Sequence, residues 1–175
     1  SIGEAGGNTA ELLGIRSTYG QTALSSLNNG EGVQAKIGEA DFRIITRDGS
    51  TVDVNIDGAN TIDGVLAAIN NAATAAGVAV TASLATTGNG IRIVDGTAGA
   101  GPLRVERLNM STAADGLGIL KTDSAGTGEI VGDDVGSIRT DSVFTALYEL
   151  YDALTATNPS NIQESQISKA GETIN

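Results

Sequence analysis

One stretch decides the fold: residues 42–77, which read FRIITRDGSTVDVNIDGANTIDGVLAAINNAATAAG. In the runs 42–45 and 51–56 apolar side chains recur at every second position, a period that gives a β-strand one apolar face. Between these runs, Asp48 and Gly49 predict a tight hairpin turn, because glycine adopts a positive φ without steric cost. The first half of the stretch therefore predicts a pair of antiparallel strands.

The second half of the stretch predicts an amphipathic helix. Thr61 offers a side-chain oxygen that can cap the helix N-terminus, and Gly77 stands where a C-terminal cap glycine belongs. Between the caps, apolar residues recur at spacings that place them on one helical face: Ile62, Val65, Leu66 and Ile69. A hairpin and a lone helix are each marginal in water, so we expect the two to pack face to face as the nucleus of a domain.

The composition of the 175-residue chain excludes several classes of function. Its formal net charge of −11 argues against nucleic acid or an anionic membrane as partner, since both bind positively charged surfaces. The absence of histidine and cysteine excludes imidazole and thiolate catalysis and the zinc sites built from these residues. No apolar run approaches the roughly 20 residues of a membrane span. We find no catalytic constellation and predict a protein that is not an enzyme and has no cofactor.

Further alternating runs extend the predicted sheet. Residues 78–84, 91–94 and 103–107 alternate apolar and polar side chains with turn residues between them, and residues 33–37 are a further short candidate strand. The main elements follow in the order β-β-α-β-β-β. This order predicts an α+β domain with a mainly antiparallel sheet and one covering helix, followed by a C-terminal helical segment.

Changes in composition divide the chain into four predicted segments. They are the end of a preceding repeat or a connecting segment (1–26), the α+β domain (27–120), an extended linker (121–140) and a helical segment that leads to a terminal coiled coil (141–175). The linker is predicted from its glycine, serine and aspartate content. The repeat is inferred from the similarity of residues 9–15 to residues 112–119, for which chance in an alanine- and glycine-rich chain is the alternative.

The C-terminal segment has a stripe of apolar residues at helical spacing: Val143, Leu147, Leu150, Tyr151 and Leu154. Pro159 then opens a second helical run, which is still amphipathic at Asn175. Such a stripe either packs on its own domain or begins a helical bundle with other subunits. We favour the second interpretation and call the stripe the assembly helix. Since the chain starts in mid-motif at Ser1, we expect it to be a piece of a longer protein.

Two motifs allow a binding chemistry beside a plain structural interpretation. The spacing of Asp53, Asn55 and Asp57 matches the first half of a calcium loop. The twelfth position of that loop requires glutamate and is Gly64 here, so we favour a strand with carboxylates on its solvent face. The glycine-rich run 96–101 lacks the lysine and the following helix of a phosphate cradle, and it predicts a flexible loop.

Several short motifs lie between positions 27 and 119. They are Leu27-x-x-Gly30-x-Gly32-Val33, Asp48-Gly49-Ser50, Val52-Asp53-Val54, Ala59-Asn60-Thr61-Ile62-Asp63-Gly64-Val65-Leu66-Ala67-Ala68-Ile69-Asn70 and Thr112-Ala113-Ala114-Asp115-x-Leu117-Gly118-Ile119. As a group they resemble the hook IN motif of the flagellin and hook-associated protein family. That motif is named for an Ile-Asn pair, here Ile69-Asn70. The resemblance implies a motif core of Ile62, Val65, Leu66, Ile69 and Asn70, and the inserted Gly116 departs from the usual ending.

The resemblance also implies a function. The run from Ser142 to Leu154 is similar to the segment in which the hook–filament junction proteins (hook-associated protein 3) re-enter their C-terminal coiled coil. This implies a structural, extracellular subunit of the bacterial flagellum that self-assembles through terminal helices. Its partners would be other hook, junction and filament subunits, and this piece alone would be monomeric. The alternatives are a flagellin or filament cap domain, or a calcium-assisted surface binding module.

Overall fold

The structure is a computed structural model that describes residues 18–86 and 88–136, together with the single positions Leu147 and Tyr151. The described residues up to 136 belong to one compact unit, and Leu147 and Tyr151 belong to a second. The first unit combines strands, a long helix and short connecting turns, which confirms the predicted α+β class.

The described strands form two antiparallel sheets. In chain order the elements are β1 (Phe42–Ile45), β2 (Thr51–Val54), α1 (Ile62–Ala76), β3 (Val80–Leu84), β4 (Ile91–Asp95), β5 (Arg104–Arg107), α2 (Ala113–Gly116) and β6 (Glu129–Val131). The first sheet has the order β2-β1-β5 and the second has the order β3-β4-β6. Two 3₁₀ turns, Leu24–Ser26 and Asn28–Gly30, precede β1.

The prediction of a single sheet is therefore wrong. Strand β5 returns to the first sheet and pairs with β1, while β6 completes the second sheet beside β4. Alternation of apolar and polar residues identifies a strand but not its neighbours, because every strand of an antiparallel sheet offers the same pattern. The pairing depends on contacts between residues far apart in the sequence.

The prediction of a short strand at residues 33–37 is also wrong. The structure has irregular backbone there, and the Ile37 side chain is 93% exposed. The segment is held instead by the buried Asp41, whose Oδ1 accepts a hydrogen bond from the Lys36 N–H at 2.7 Å. A side-chain acceptor thus replaces the strand partner that the alternating pattern had suggested.

The predicted hairpin between β1 and β2 is confirmed. The Thr46 N–H donates to the Ser50 carbonyl at 3.0 Å, which closes the turn. Gly49 has a φ of +87°, in the region where a β-carbon is strained. The Asp48 carboxylate accepts from the Thr46 hydroxyl and the Ser50 N–H, and these hydrogen bonds hold the pKa of Asp48 below its ordinary value. The turn residues therefore fix the register of the hairpin.

The predicted helix α1 is confirmed at both ends. At its start the Gly64 N–H donates to the Thr61 hydroxyl at 3.3 Å. At its end Gly77 adopts a left-handed conformation with φ +66°. The Gly77 N–H then donates to the Thr74 carbonyl, and the Val78 N–H donates to the Ala73 carbonyl. This pair of hydrogen bonds is a Schellman motif, which satisfies carbonyls that the helix leaves free.

One face of α1 covers parts of both sheets. Ile62, Val65 and Ile69 are almost completely buried, and Leu66 is half-buried against the same core. The helix contacts β2 at the edge of the first sheet and β3 at the edge of the second. Its apolar face therefore brings the two sheets into one hydrophobic core, which also contains Phe42, Ile44, Ile91 and Ile93.

The segment predicted as a linker, residues 121–140, belongs to the fold over its described part. Residues 129–131 form β6 beside β4, and the Ile130 side chain is buried. Closer to α2, the Val105 N–H donates to the Lys121 carbonyl, and the Asp123 N–H donates to the Leu103 carbonyl. Glycine and serine content predicted an extended linker, but Thr122 pairs with β5 and residues 129–131 pair with β4.

The described part of the predicted first segment, residues 18–26, also packs on this unit. The Leu24 side chain is buried, and the Leu24 N–H donates to the Asn60 carbonyl. The Ile62 N–H, at the start of α1, donates to the Thr22 carbonyl. The folded unit thus begins before residue 27. Residues 1–17 lie outside the described part of the chain.

Substitution of Ile130 tests whether β6 is part of the cooperative fold. Ile130→Ala removes buried methylene and methyl groups and is expected to lower the free energy of unfolding by about 2–5 kcal/mol. The neighbouring Val131 points to the opposite face and is 39% exposed, so Val131→Ala is expected to cost about 0.5 kcal/mol or less. Urea unfolding of both variants measures the difference. Equal, small effects would mean that residues 121–136 behave as a linker.

Candidate functional site

The Asn70 side chain joins helix α1 to strand β3. Its Nδ2 donates to the Ala82 carbonyl at 3.0 Å, and its Oδ1 accepts from the Ala82 N–H at 2.8 Å. The preceding residue, Ile69, is fully buried in the core. The two residues of the Ile-Asn pair thus have different contacts: one packs in the core and the other binds the edge of a sheet.

The position of Ala82 explains why an asparagine is needed. The Ala85 N–H donates to Gly90, which places the odd-numbered backbone groups of β3 toward β4. The N–H and C=O of Ala82 therefore point away from β4, at the free edge of the second sheet. A carboxamide presents one donor and one acceptor in the geometry of a peptide group, so Asn70 takes the place of a neighbouring strand.

A second junction lies between the β1–β2 hairpin and the end of β4. The Arg47 N–H donates to Oδ2 of the buried Asp95 at 2.7 Å, and the Arg47 Nε lies 3.5 Å from the same oxygen. The Arg47 Nη2 also donates to the Thr97 carbonyl at 2.7 Å. Since Arg47 belongs to the first sheet's hairpin and Asp95 ends a strand of the second, this contact ties the two sheets together.

The glycine-rich loop predicted as flexible wraps around Arg47. The Gly101 N–H donates to the Arg47 carbonyl at 3.0 Å. A β-carbon at Gly99 would overlap the carbonyl group of Arg47. A β-carbon at Gly128 would lie 2.9 Å from the Arg47 guanidinium carbon, and Gly128 also has a φ of +73°. Gly99 and Gly101 thus let the loop backbone approach Arg47 closely. This accounts for the glycine content of the loop without a bound phosphate.

The buried carboxylates of the unit accept hydrogen bonds from its own backbone. Asp41 accepts from the Lys36 and Ile56 N–H groups and from the Ser111 hydroxyl. Asp95 accepts from the Arg47 and Thr97 N–H groups. Asp123 accepts from the Ala125 and Gly128 N–H groups. These carboxylates therefore hold loops in place, a use that leaves them little capacity to act as acid, base or metal ligand.

The pKa of Asp123 reflects this arrangement. Burial alone would raise the pKa of this carboxyl, because it disfavours the charged form. The backbone hydrogen bond from Gly128, with further hydrogen bonds from Thr127, Glu129 and Ala125, lowers the pKa below its ordinary value. The carboxylate is thus held in its charged form by donors from the loop that it organises.

The residues of the calcium-loop motif are engaged elsewhere. Asp53 receives two hydrogen bonds from the Arg43 guanidinium, at 2.5 and 2.7 Å, which hold the pKa of Asp53 below its ordinary value. Asp57 Oδ2 accepts from the Gly38 N–H at 2.5 Å and from Asn55 Nδ2 at 3.3 Å, and the Asp57 N–H donates to Asn55 Oδ1 at 2.6 Å. Within the described residues, no group of three or more acidic side chains could hold a metal ion.

The surface depressions of the unit are shallow. Two open depressions of about 400 and 380 Å³ share the turn around Glu31 and Gly32 as part of their lining. Glu31 is the titratable residue of the first, and the second adds Asp115, which forms an ion pair with Arg107. The hydroxyl side chains of the linings are those of Ser25 in the first depression and Thr112 in the second.

The structure brings together the residues of the predicted motif core and describes two residues of the assembly helix. Ile62, Val65, Leu66, Ile69 and Asn70 all lie on the side of α1 that packs on the sheets. Of the assembly helix, Leu147 and Tyr151 have helical backbone and exposed side chains, at 50% and 65%. Val143, Leu150 and Leu154 lie outside the described residues. The roles of Arg47, Asp95 and Ala82 were not predicted from the sequence, because their hydrogen-bond partners lie far from them along the chain.

Comparison with known proteins gives no relative. No protein-family model matches the chain, and neither the curated proteins nor the solved structures include a significant match. In the part of the chain that the structure describes, no helix is long and apolar enough to cross a membrane.

Asn70→Ala is expected to lower the free energy of unfolding by about 1–3 kcal/mol, because it leaves the Ala82 N–H and C=O without partners. The matched control is Asn71→Ala on the exposed side of α1, with an expected change within about 0.5 kcal/mol. Thermal or urea unfolding measures both. If the two variants were equally stable, Asn70 would not hold the edge of β3.

Asn70→Asp adds a pH signature to this test. A charged aspartate can accept from the Ala82 N–H but faces the Ala82 carbonyl, so its pKa in the folded state is expected to rise. The protonated form can donate to that carbonyl. The variant should approach wild-type stability at acidic pH and lose stability as the pH rises through this raised pKa. A constant difference from wild type across pH 3–7, roughly the span around a carboxyl pKa, would contradict the geometry.

Gly99→Ala tests the close approach of the loop to Arg47. The added methyl group meets the Arg47 carbonyl, so the backbone must shift, at an expected cost of about 1–3 kcal/mol. Ala100→Ser also adds one heavy atom to this loop, at an exposed position, and should change the stability by about 0.5 kcal/mol or less. Chemical unfolding compares the two. A neutral Gly99→Ala would mean that the loop is as flexible as its composition predicted.

Proposed function

We propose that the chain is a non-enzymatic structural subunit of the bacterial flagellum, located at the junction between hook and filament. Its partners are other hook, junction and filament subunits, outside the cell. Assembly proceeds through terminal helices, and the present piece alone is monomeric in dilute solution. The α+β unit is the outward-facing domain that these helices position.

The observation that carries the non-enzymatic part of this proposal is the use of the buried carboxylates. Asp41, Asp95 and Asp123 are the buried acids among the described residues, and backbone N–H groups of the same unit bind each of them. A catalytic carboxyl instead faces a cleft, with a pKa matched to proton transfer. These buried carboxylates thus stabilise the loops of the unit and are not directed at a cleft.

The flagellar part of the proposal is supported by the hook IN resemblance and by what its residues do. The pair that names the motif, Ile69 and Asn70, fastens α1 to the core and to the edge of β3. A filament component works at high local concentration, where free strand edges pair readily, and Asn70 withdraws the edge of β3 from such pairing. The formal net charge of −11 keeps its surfaces mutually repulsive.

Immunogold labelling tests the location. Antibodies raised against the purified chain would be applied to intact flagella of the bacterium that encodes it and viewed by electron microscopy. Label at the boundary between hook and filament is the expected result. Label along the filament would indicate a flagellin, and label at the filament tip would indicate a cap protein. Flagella without any label would overturn the flagellar assignment altogether.

A deletion with complementation tests the role. Cells that lack the gene are expected to have bare hooks and to release flagellin into the medium. The full-length gene should restore filaments, whereas Leu147→Asp, which places a charge on the exposed side of the assembly helix, should not. Asn71→Ala on the exposed side of α1 is the matched control and should restore filaments. Normal filaments in the deletion strain would contradict a structural role at the junction.

A further inference from the structure

Each sheet edge presents backbone groups whose direction follows from the register. In an antiparallel pair, alternate residues turn their N–H and C=O groups toward the partner strand, and the residues between them turn these groups away. Thr46 and Ser50 are hydrogen-bonded across the hairpin, so the even-numbered residues of β2 face β1. The groups of Thr51 and Asp53 therefore point out of the first sheet.

Three of the four sheet edges are covered by the chain itself. Asn70 binds Ala82 at the edge of β3. Residues 121–123 pair with β5 through their own backbone. At the edge of β6, the Lys121 Nζ donates to the Val131 carbonyl at 3.0 Å. The fold thus places at least one hydrogen-bond partner, from a side chain or from the backbone, on each of these three edges.

The edge of β2 is different. Among residues 18–86 and 88–136, the outward N–H and C=O groups of Thr51 and Asp53 make no hydrogen bond. Both residues are exposed. The Asp53 carboxylate is turned onto the face of the sheet, where Arg43 binds it through both of its oxygens. The negative charge of Asp53, which would otherwise disfavour pairing of this edge with another strand, is therefore partly neutralised by Arg43.

We propose that β2 pairs with β2 of a second copy of this chain, antiparallel and about a two-fold axis at Val52. In this register Thr51 of each copy lies opposite Asp53 of the other. The outward groups of both residues then hydrogen-bond across the axis, and two three-stranded sheets become one continuous sheet. The contact is isologous, since both copies use the same strand.

Charge selects this register over its neighbour. A two-fold axis at Asp53 would place the two Asp53 carboxylates directly opposite each other, which is unfavourable. The axis at Val52 instead places a Thr51 hydroxyl, a hydrogen-bond donor, opposite each carboxylate. The side chains of Val52 and Val54 stay on the buried face of their own sheets. Strand β2 therefore complements itself better about Val52 than about Asp53.

The pairing is weak because the contact is small. Two four-residue strands bury far less than the roughly 1,000 Å² that a stable interface requires. The chain is then monomeric in dilute solution and pairs where copies are held at high local concentration. This inference depends on the strand geometry and not on the flagellar proposal.

Charge substitutions at Thr51 test the register. Thr51→Lys places an ammonium group opposite Asp53 of the second copy, and Thr51→Asp places a carboxylate there. Because two such pairs form in each dimer, the association constant is expected to rise about two- to thirty-fold with lysine and to fall by a similar factor with aspartate. Sedimentation equilibrium of the 175-residue chain, from micromolar to millimolar concentrations, measures both changes.

Thr81 provides the matched control. It is an exposed threonine on β3, the strand whose free edge Asn70 occupies. Thr81→Lys and Thr81→Asp change the net charge by the same amounts as the Thr51 variants. They are expected to leave the association constant nearly unchanged, so a rise with lysine and a fall with aspartate at Thr51 cannot come from net charge alone. Amide exchange at Thr51 and Asp53 should also slow as the concentration rises. Equal association of the Thr51 variants, or a matching response at Thr81, would overturn the proposal.

Discussion

Helix α1 is the element on which the rest of the unit depends, because its one apolar face packs on both sheets. A three-stranded sheet of three- to five-residue strands buries little apolar surface by itself. The helix contacts β2 of one sheet and β3 of the other, and Ile62, Val65 and Ile69 are buried between them. Without this shared core, each sheet would expose the apolar side chains that now face α1.

The sheets are joined at two further places, both built from polar groups. On one side, Arg47 of the hairpin is bound by Asp95 and by the carbonyl of Thr97. On the other, residues 121–123 pair with β5 while Lys121 reaches the edge of β6. Hydrogen bonds at the Asp95 carboxylate and at the Arg47 N–H and Nη2 offset the cost of burying these groups, whereas the buried Arg47 Nε has only its 3.5 Å ion pair with Asp95. The unit thus combines an apolar core with polar connections that fix the positions of the two sheets.

Local physical rules predicted the hairpin and the helix, because Asp48, Gly49, Thr61 and Gly77 act within a few residues of where they stand. The number of sheets could not be predicted, because alternation is the same for every strand. The role of Asn70 was also hidden, although the resemblance marked the residue. An asparagine on a helix gives no sign of which strand edge it binds. Residues 121–136 were misread because their glycines permit close packing as readily as flexibility.

The late position of β6 has a consequence for how the chain folds. Strand β4 acquires its second neighbour about 35 residues downstream, and Arg47 meets Gly128 across some 80 residues of chain. Such distant contacts raise the contact order, so closure of the unit is slow compared with formation of the hairpin or the helix. While the ribosome has released the chain only to about residue 120, the edges of β4 and β5 are still open to other strands. Completion of residues 121–131 is therefore the step that ends this vulnerable period.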